Sequence, residues 1–221
     1  MTKGAVCSTL IVLGLMAPAA VIAATFNLSS YPGLEDVSNL ANVKLDLRYA
    51  TQDNFLGRPV YGDFRQCYLQ QVAADKLKIA AKTLEEQKPG WKLLIFDCLR
   101  PRSIQREMWS LVKGTPKQKY VANPDTGSMH NFGFAVDLSL IDENGQEVDM
   151  GTPFDYFGHE AEPQREAQFL KQGRLTQKQI DNRKLLRSIM VGSGFIPLSI
   201  EWWHFDALDK SVVKANYKII E

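Results

Sequence analysis

Ser128-Met129-His130-Asn131-Phe132-Gly133-Phe134-Ala135-Val136-Asp137-Leu138-Ser139-Leu140-Ile141 is the stretch on which the reading of this chain turns. Its second half, Phe134 to Ile141, is a short apolar run of strand-forming residues closed by the turn residues Asp142-Glu143-Asn144-Gly145. Its first half carries His130, one of three histidines in 221 residues, the others being His159 and His204. Gly133 lies between the halves and permits a bend that leaves His130 on the loop before the strand.

Upstream, Leu69, Val72, Ala73, Leu77, Ala80, Ala81 and Leu84 recur at spacings of three and four, which predicts an amphipathic helix over residues 66–88, stopped by Pro89-Gly90. Trp91 to Phe96 reads as a strand, and Pro101 suits the first turn of a helix running through Ile104, Met108, Trp109 and Val112. Downstream, Thr176 caps a helix with Ile180, Leu185, Leu186, Ile189 and Met190 as its buried stripe, ended by Gly192 and Gly194. Phe195 to Phe205 is the third strand expected and carries Glu201-Trp202-Trp203-His204. Helices and strands alternate irregularly, which predicts an α+β fold: one domain over residues 24–221, with helices packed against an antiparallel sheet.

Composition bounds the function. With 45% hydrophobic and 23% charged residues the chain has material for one sizeable core. Lys and Arg number 26 against 25 Asp and Glu, a formal charge of +1, so there is no global field to draw it onto nucleic acid. Residues 1–23 read as a secretory signal peptide: Lys3, an apolar stretch around Leu10 to Met16, then small residues before Ala24. Pro18 interrupts a run already short for a bilayer anchor. Export would place the protein in a compartment such as the periplasm, with no stable membrane association after cleavage. It would also remove Cys7 and leave Cys67 and Cys98, which read either as a disulfide or as two buried thiols.

Two imidazoles and a carboxylate, His130, His204 and Asp137, form a three-ligand set for Zn²⁺ that leaves a fourth position for water. Glu201, three residues before His204, is then a candidate general base. By residue type alone, a histidine beside aromatics is more often a core or surface residue than a ligand. Strand periodicity does not separate the two readings. His130 and Asp137 are seven apart and Glu201 and His204 three apart, odd spacings that strict alternation aims at opposite faces.

The motifs together decide between them. Ser-x-His-x-x-Gly-x-Ala-x-Asp over Ser128 to Asp137, followed by Glu-x-Trp-His over Glu201 to His204, resembles the double zinc motif of the VanX-type D-alanyl-D-alanine dipeptidases, within the wider D-Ala-D-Ala metallopeptidase group. Tyr49 to Val60, Phe96 to Pro101, Met150 to Asp155 and Arg187 to Met190 are similar to the same branch, so the resemblance covers about residues 36–206. It implies a D-Ala-D-Ala metallopeptidase (Hedgehog-like) fold with one zinc ion in a central cleft, held by His130, Asp137 and His204. Glu201 would be the catalytic base, and Arg100 would steady the oxyanion. Tyr49 and Asp155 would hold the amino end of a free dipeptide and Ser128 its carboxylate.

The implied reaction is hydrolysis of D-Ala-D-Ala to two D-alanines in turnover of wall-derived dipeptide. Competing readings are a D,D-carboxypeptidase or endopeptidase on peptidoglycan stem peptides, and a non-catalytic wall-binding module. Cys98 departs from the small residues common at its position, and a Cys67–Cys98 bridge would brace the Arg100 loop. Asp97 reads either as a partner that orients Arg100 or as a structural residue at the strand end. Trp202 and Trp203 read as packing residues, and His159 as a loop residue without a role.

Overall fold

The strand Ala135–Ile141 is the spine of the molecule: all seven of its residues are buried, so both faces of the sheet are covered where it runs. That explains a continuous apolar run in place of alternation. The computed structural model describes Met1 and residues 28–221; the expected signal segment, Met1 apart, lies outside the described residues, as does Cys7. Among the described residues no helix is long and apolar enough to cross a membrane.

In chain order the strands are β1 (Leu34–Asp36), β2 (Val43–Leu45), β3 (Tyr68–Gln70), β4 (Lys92–Asp97), β5 (Ala135–Ile141), β6 (Ile196–Pro197) and β7 (His204–Asp206). The α-helices are α1 (Gln71–Gln87), α2 (Arg102–Val112), α3 (Glu166–Lys171), α4 (Gln177–Gly192) and α5 (Lys210–Asn216). β1 and β3 pair antiparallel as a two-stranded ribbon, and the main sheet runs β2-β4-β5-β7-β6. Helix α1 seals the sheet with Leu77, Ala80, Ala81 and Leu84, while Leu186, Ile189 and Met190 of α4 join the same core. Thr176 caps α4 in a capping box: its hydroxyl accepts from the Gln179 amide at 3.2 Å, and the Gln179 side chain accepts from the Thr176 amide at 2.8 Å.

The α+β architecture agrees with the sequence reading, with three corrections. The sheet is mixed, because β2 lies parallel to β4 at one edge while the other pairs are antiparallel. The helix expected from residue 66 begins at Gln71, because Tyr68–Gln70 is taken by pairing with β1. The expected strand over 195–205 is two short strands forming a hairpin, β6 and β7, with residues 198–203 as the connection. Pro197 suits β6 because this strand forms the sheet edge, where a missing N–H costs no ladder bond.

Register sets up the site. A bulge in β4 inserts Phe96 between Ile95, opposite Leu138, and Asp97, opposite Asp137. Asp137 in turn pairs with His204 of β7. Asp97, Asp137 and His204 therefore form one row across three strands at one end of the sheet.

Candidate active site

His130 joins this row from outside the sheet. It sits in a 3-10 turn, Met129–Phe132, that Ser128 caps and Gly133 ends in the left-handed region at φ 74°. The turn removes the parity conflict between His130 and Asp137, and the start of β7 at His204 removes the one between Glu201 and His204. His130 Nε2 lies 3.3 Å from His204 Nδ1 and 3.3 Å from Asp137 Oδ1, and His204 Nδ1 lies 2.9 Å from Asp137 Oδ1. Ligands ~2.0–2.1 Å from a tetrahedral ion are separated by ~3.3 Å, so the triangle has the size such an ion needs.

Each imidazole is oriented by its outer nitrogen. His130 Nδ1 donates to the carbonyl of Cys98 at 2.7 Å, and His204 Nε2 donates to Asp206 Oδ1 at 2.9 Å. The inner nitrogens are thereby turned toward the triangle's centre as the metal-facing atoms. Burial alone would pull the His204 imidazole down in pKa, but its bonds to Asp137 and Asp206 outweigh this and hold it well above the usual range. Burial likewise pushes the Asp137 carboxyl up, and the two imidazoles outweigh it, holding Asp137 far below the usual carboxylate range. A metal ion entering here displaces a proton, so its binding weakens as pH falls.

Arg100 is locked beside this cluster. Its Nε donates to Asp97 Oδ2 at 3.0 Å, its Nη2 bonds the same carboxylate, and its Nη1 donates to Gln105 Oε1 at 3.0 Å. The guanidinium lies over the Tyr49 ring, 4.9 Å from its centroid. Asn131 donates to the Arg100 carbonyl at 2.6 Å and the Arg100 amide donates to the His130 carbonyl at 3.1 Å, which ties the arginine loop to the histidine turn. Cys67 and Cys98 are joined, with Cα atoms 5.6 Å apart, so the residue that orients His130 through its carbonyl is also anchored to the start of β3. Asp97 is thus the orienting partner of Arg100, and it also takes a bond from the Tyr61 hydroxyl.

The other end of the site is carried on loops. Tyr49 donates its hydroxyl to both oxygens of Asp155, at 3.1 and 3.0 Å. Asp155 has φ 58°, a left-handed conformation that Asp tolerates better than most residues. Its loop is pinned from α4: Arg183 donates to the carbonyls of Met150 at 2.6 Å and Glu160 at 2.8 Å, and Asn182 donates to that of Asp149 at 2.8 Å. Burial pulls the Arg183 guanidinium down to about 10, so it stays charged at neutral pH. Trp202 adds a bond from its indole N–H to Thr152 at 2.8 Å.

A cavity of about 310 Å³ connects these parts, with Tyr49, Arg100, Ser128, Asp155, Glu201 and the three candidate ligands all on its wall. Asp155 and Glu201 are half-buried, and both line this cavity. Withdrawal from bulk water pushes both carboxyls up, Asp155 well above its usual range with a further push from Asp137. Burial, then the Asp155 charge, raises the Tyr49 phenol, so Tyr49 stays a neutral donor. The Ser128 oxygen accepts from the His130 amide at 3.3 Å, which leaves its hydroxyl proton free to donate.

Comparison with known proteins fits this arrangement. A family model described as D-Ala-D-Ala dipeptidase matches residues 33–220. The chain belongs to the D-Ala-D-Ala dipeptidase family. A curated relative from Escherichia coli (strain K12), named D-alanyl-D-alanine dipeptidase, is 36% identical over 166 residues, which are 75% of this chain and 79% of the relative. One of the same name from Enterococcus faecium is 33% identical over 186 residues, 76% of this chain and 87% of the relative. Another from Enterococcus faecalis is 28% identical, covering 77% of this chain and 89% of the relative. The protein is accordingly an enzyme, a hydrolase of a metal-dependent dipeptidase family, and its His130, Asp137 and His204 form a group able to hold the ion.

Sequence reading missed Asp206, Gln105 and Asn131. Asp206 was accessible in principle, since residues two apart on a strand share a face and a carboxylate there meets the outer nitrogen of His204. Gln105 and Asn131 carry no such signal, because their partners come from turns whose geometry one sequence does not specify. His159 lies outside the metal cluster and pairs with Glu162 at 2.6 Å.

Proposed function

We propose that this chain is an exported, zinc-dependent D-alanyl-D-alanine dipeptidase that turns over wall-derived dipeptide. The observation that carries the reading is one cavity with a three-donor metal triangle at one side and the Tyr49–Asp155 carboxylate at the other. A free dipeptide presents an ammonium close to its scissile bond, and a carboxylate on the cavity wall that forms no ion pair among the described residues is the partner that ammonium needs. The names of the curated relatives support the substrate, the N-terminal pattern over residues 1–23 supports export, and a two-histidine, one-carboxylate set suits zinc.

His130, Asp137 and His204 would hold the ion. When bound it supplies Lewis acidity, acidifying a water and polarising the scissile carbonyl. Glu201, raised in pKa by burial, takes a proton from the attacking water and returns it to the leaving amine. Arg100, held rigid by Asp97 and Gln105, meets the charge that develops on the carbonyl oxygen. Asp155 accepts from the substrate ammonium with Tyr49 fixing its orientation, and the Ser128 hydroxyl donates to the substrate carboxylate.

The test is D-alanine release by zinc-loaded mature protein from free D-Ala-D-Ala and from N-acylated D-Ala-D-Ala. The free dipeptide is expected to be strongly preferred, and Glu201→Ala to lower turnover by about 10²- to 10⁴-fold. Turnover of an N-acylated stem tripeptide rivalling that of the free dipeptide would make the protein a carboxypeptidase instead. Activity indifferent to Glu201→Ala would remove the catalytic scheme.

A further inference from the structure

The amino-end side of the cavity is closed by three aromatic rings from three separate loops. Phe157, two residues past Asp155, packs edge-on against Phe55 with centroids 5.0 Å apart and stacks on Tyr120 at 4.0 Å. Phe55 in turn meets the edge of Tyr49 at 6.3 Å, and Tyr49 holds Asp155, so the rings continue directly from the carboxylate. The wall is fastened by polar bonds: the Tyr120 hydroxyl donates to the Phe157 carbonyl at 2.5 Å, and Lys117 Nζ donates to the Phe55 carbonyl at 3.1 Å.

Behind the wall lies a second cavity of about 170 Å³, bounded in part by His159 and Glu162. Lys119, Tyr120, Phe157, Ile200 and Glu201 line both cavities, and Phe157 is the one of them that stacks on Tyr120 and meets Phe55. Phe157 is therefore a partition between two spaces rather than the outer skin of one. A peptide extended beyond the amino end runs into the faces of these rings, and burying its extra peptide N–H and carbonyl against them unpaired is costly.

We propose that Phe157, held in place by Tyr120 and Phe55, is a specificity-determining residue that limits the substrate to a single residue on the amino side of the scissile bond. The inference rests on the dipeptidase reading above, but differs from recognition of the ammonium by Asp155. A charge partner rewards a free amine, whereas a partition penalises length even when the amine is free. With the partition opened, the second cavity gives the extra residue a place to go.

The measurement is kcat/KM for D-Ala-D-Ala and for L-Lys-D-Ala-D-Ala, scoring the latter by formation of L-Lys-D-Ala so that only cleavage in the extended register counts. Phe157→Ala is expected to raise the ratio of extended to free substrate on the order of 10- to 100-fold, through a lower KM for the tripeptide. Phe157→Leu is expected to give an intermediate rise. Tyr120→Phe, which keeps the stack and loses the bond to the Phe157 carbonyl, should give a smaller one. Phe157 and Tyr120 are half-buried, and the two milder variants carry the test should Phe157→Ala fail to fold. An unchanged ratio in variants that still cleave D-Ala-D-Ala overturns the partition alone. Loss of dipeptide cleavage in all three also overturns it, since a wall that only excludes is not needed by the short substrate. Native enzyme inert on D-Ala-D-Ala overturns the dipeptidase reading, and the partition with it.

Discussion

The two sides of the cavity are built differently. On the metal side, Asp97, Asp137 and His204 are neighbours in strand register across β4, β5 and β7, so backbone ladders fix their spacing and the bulge at Phe96 tunes it. On the substrate side, Tyr49, Phe55, Tyr120, Asp155 and Phe157 all come from short turns and loops, positioned by side-chain bonds such as those of Arg183 and Tyr120. The difference follows from what each side must do. Donors around one ion require spacing fixed to a fraction of an ångström, which the sheet supplies for Asp137 and His204 and a capped turn supplies for His130, whereas recognition of a substrate's ends is readily altered on loops without disturbing the reaction centre.

The comparison is broken most severely by loosening the rigid side. Arg100→Lys keeps the charge but loses the fork that engages Asp97 and Gln105 together, and a lysine ammonium is not held in one geometry by those two partners. The expected result is a fall of about 10²- to 10³-fold in kcat with KM little changed. A comparable loss in KM alone would move Arg100 to the substrate-binding side. Asp206→Ala should act one step further out. It removes the acceptor for His204 Nε2 and is expected to weaken metal affinity by about 10- to 100-fold in a competition titration with a chelator. Unaltered affinity would show that β7 alone fixes the His204 ring.

Legibility in the sequence follows the same division. β4, β5, α1, α2 and α4 were readable because long apolar runs and three-four spacing report burial directly, and Thr176 marked its helix start. The short strands β1, β2 and β3 were not, since three residues carry no periodicity and their pairing is decided by distant partners. The hairpin that separates Glu201 from β7 was hidden by an apolar run from Phe195 to Phe205 that looks like one strand. At the site, residue types suggested a metal triad, but only the extended motif resemblance chose it over packing histidines. Tyr49 and Asp155, 106 positions apart, had no physical signal of proximity at all. The aromatic wall was equally silent, because Phe55, Tyr120 and Phe157 look like ordinary loop aromatics until the fold brings them together.

The loop side is sharpened by Asp155→Asn, which separates what this residue does for binding from what it costs in stability. Asn accepts the left-handed backbone at this position and still offers the Tyr49 hydroxyl an acceptor, so the local structure is retained. Loss of the charge opposite the substrate ammonium is expected to raise KM for D-Ala-D-Ala on the order of tenfold. Stability should move the other way. The native carboxyl holds its proton to well above the usual range, whereas in the unfolded chain it ionises at its ordinary value of about 3.9. Between those two values the folded state binds more protons, so the contribution of Asp155 to stability is fully present below the unfolded value and is lost as pH rises through the folded one. Asn carries no such dependence. In metal-free protein the Tm of Asp155→Asn relative to native should therefore climb as pH is raised above about 4. The same comparison with saturating metal should show a smaller climb, because a cation beside Asp137 offsets the carboxylate that helps to raise Asp155. A Tm difference that stayed flat with pH would mean that Asp155 is already compensated before substrate arrives, and the loop side would then have no vacancy for an ammonium to fill.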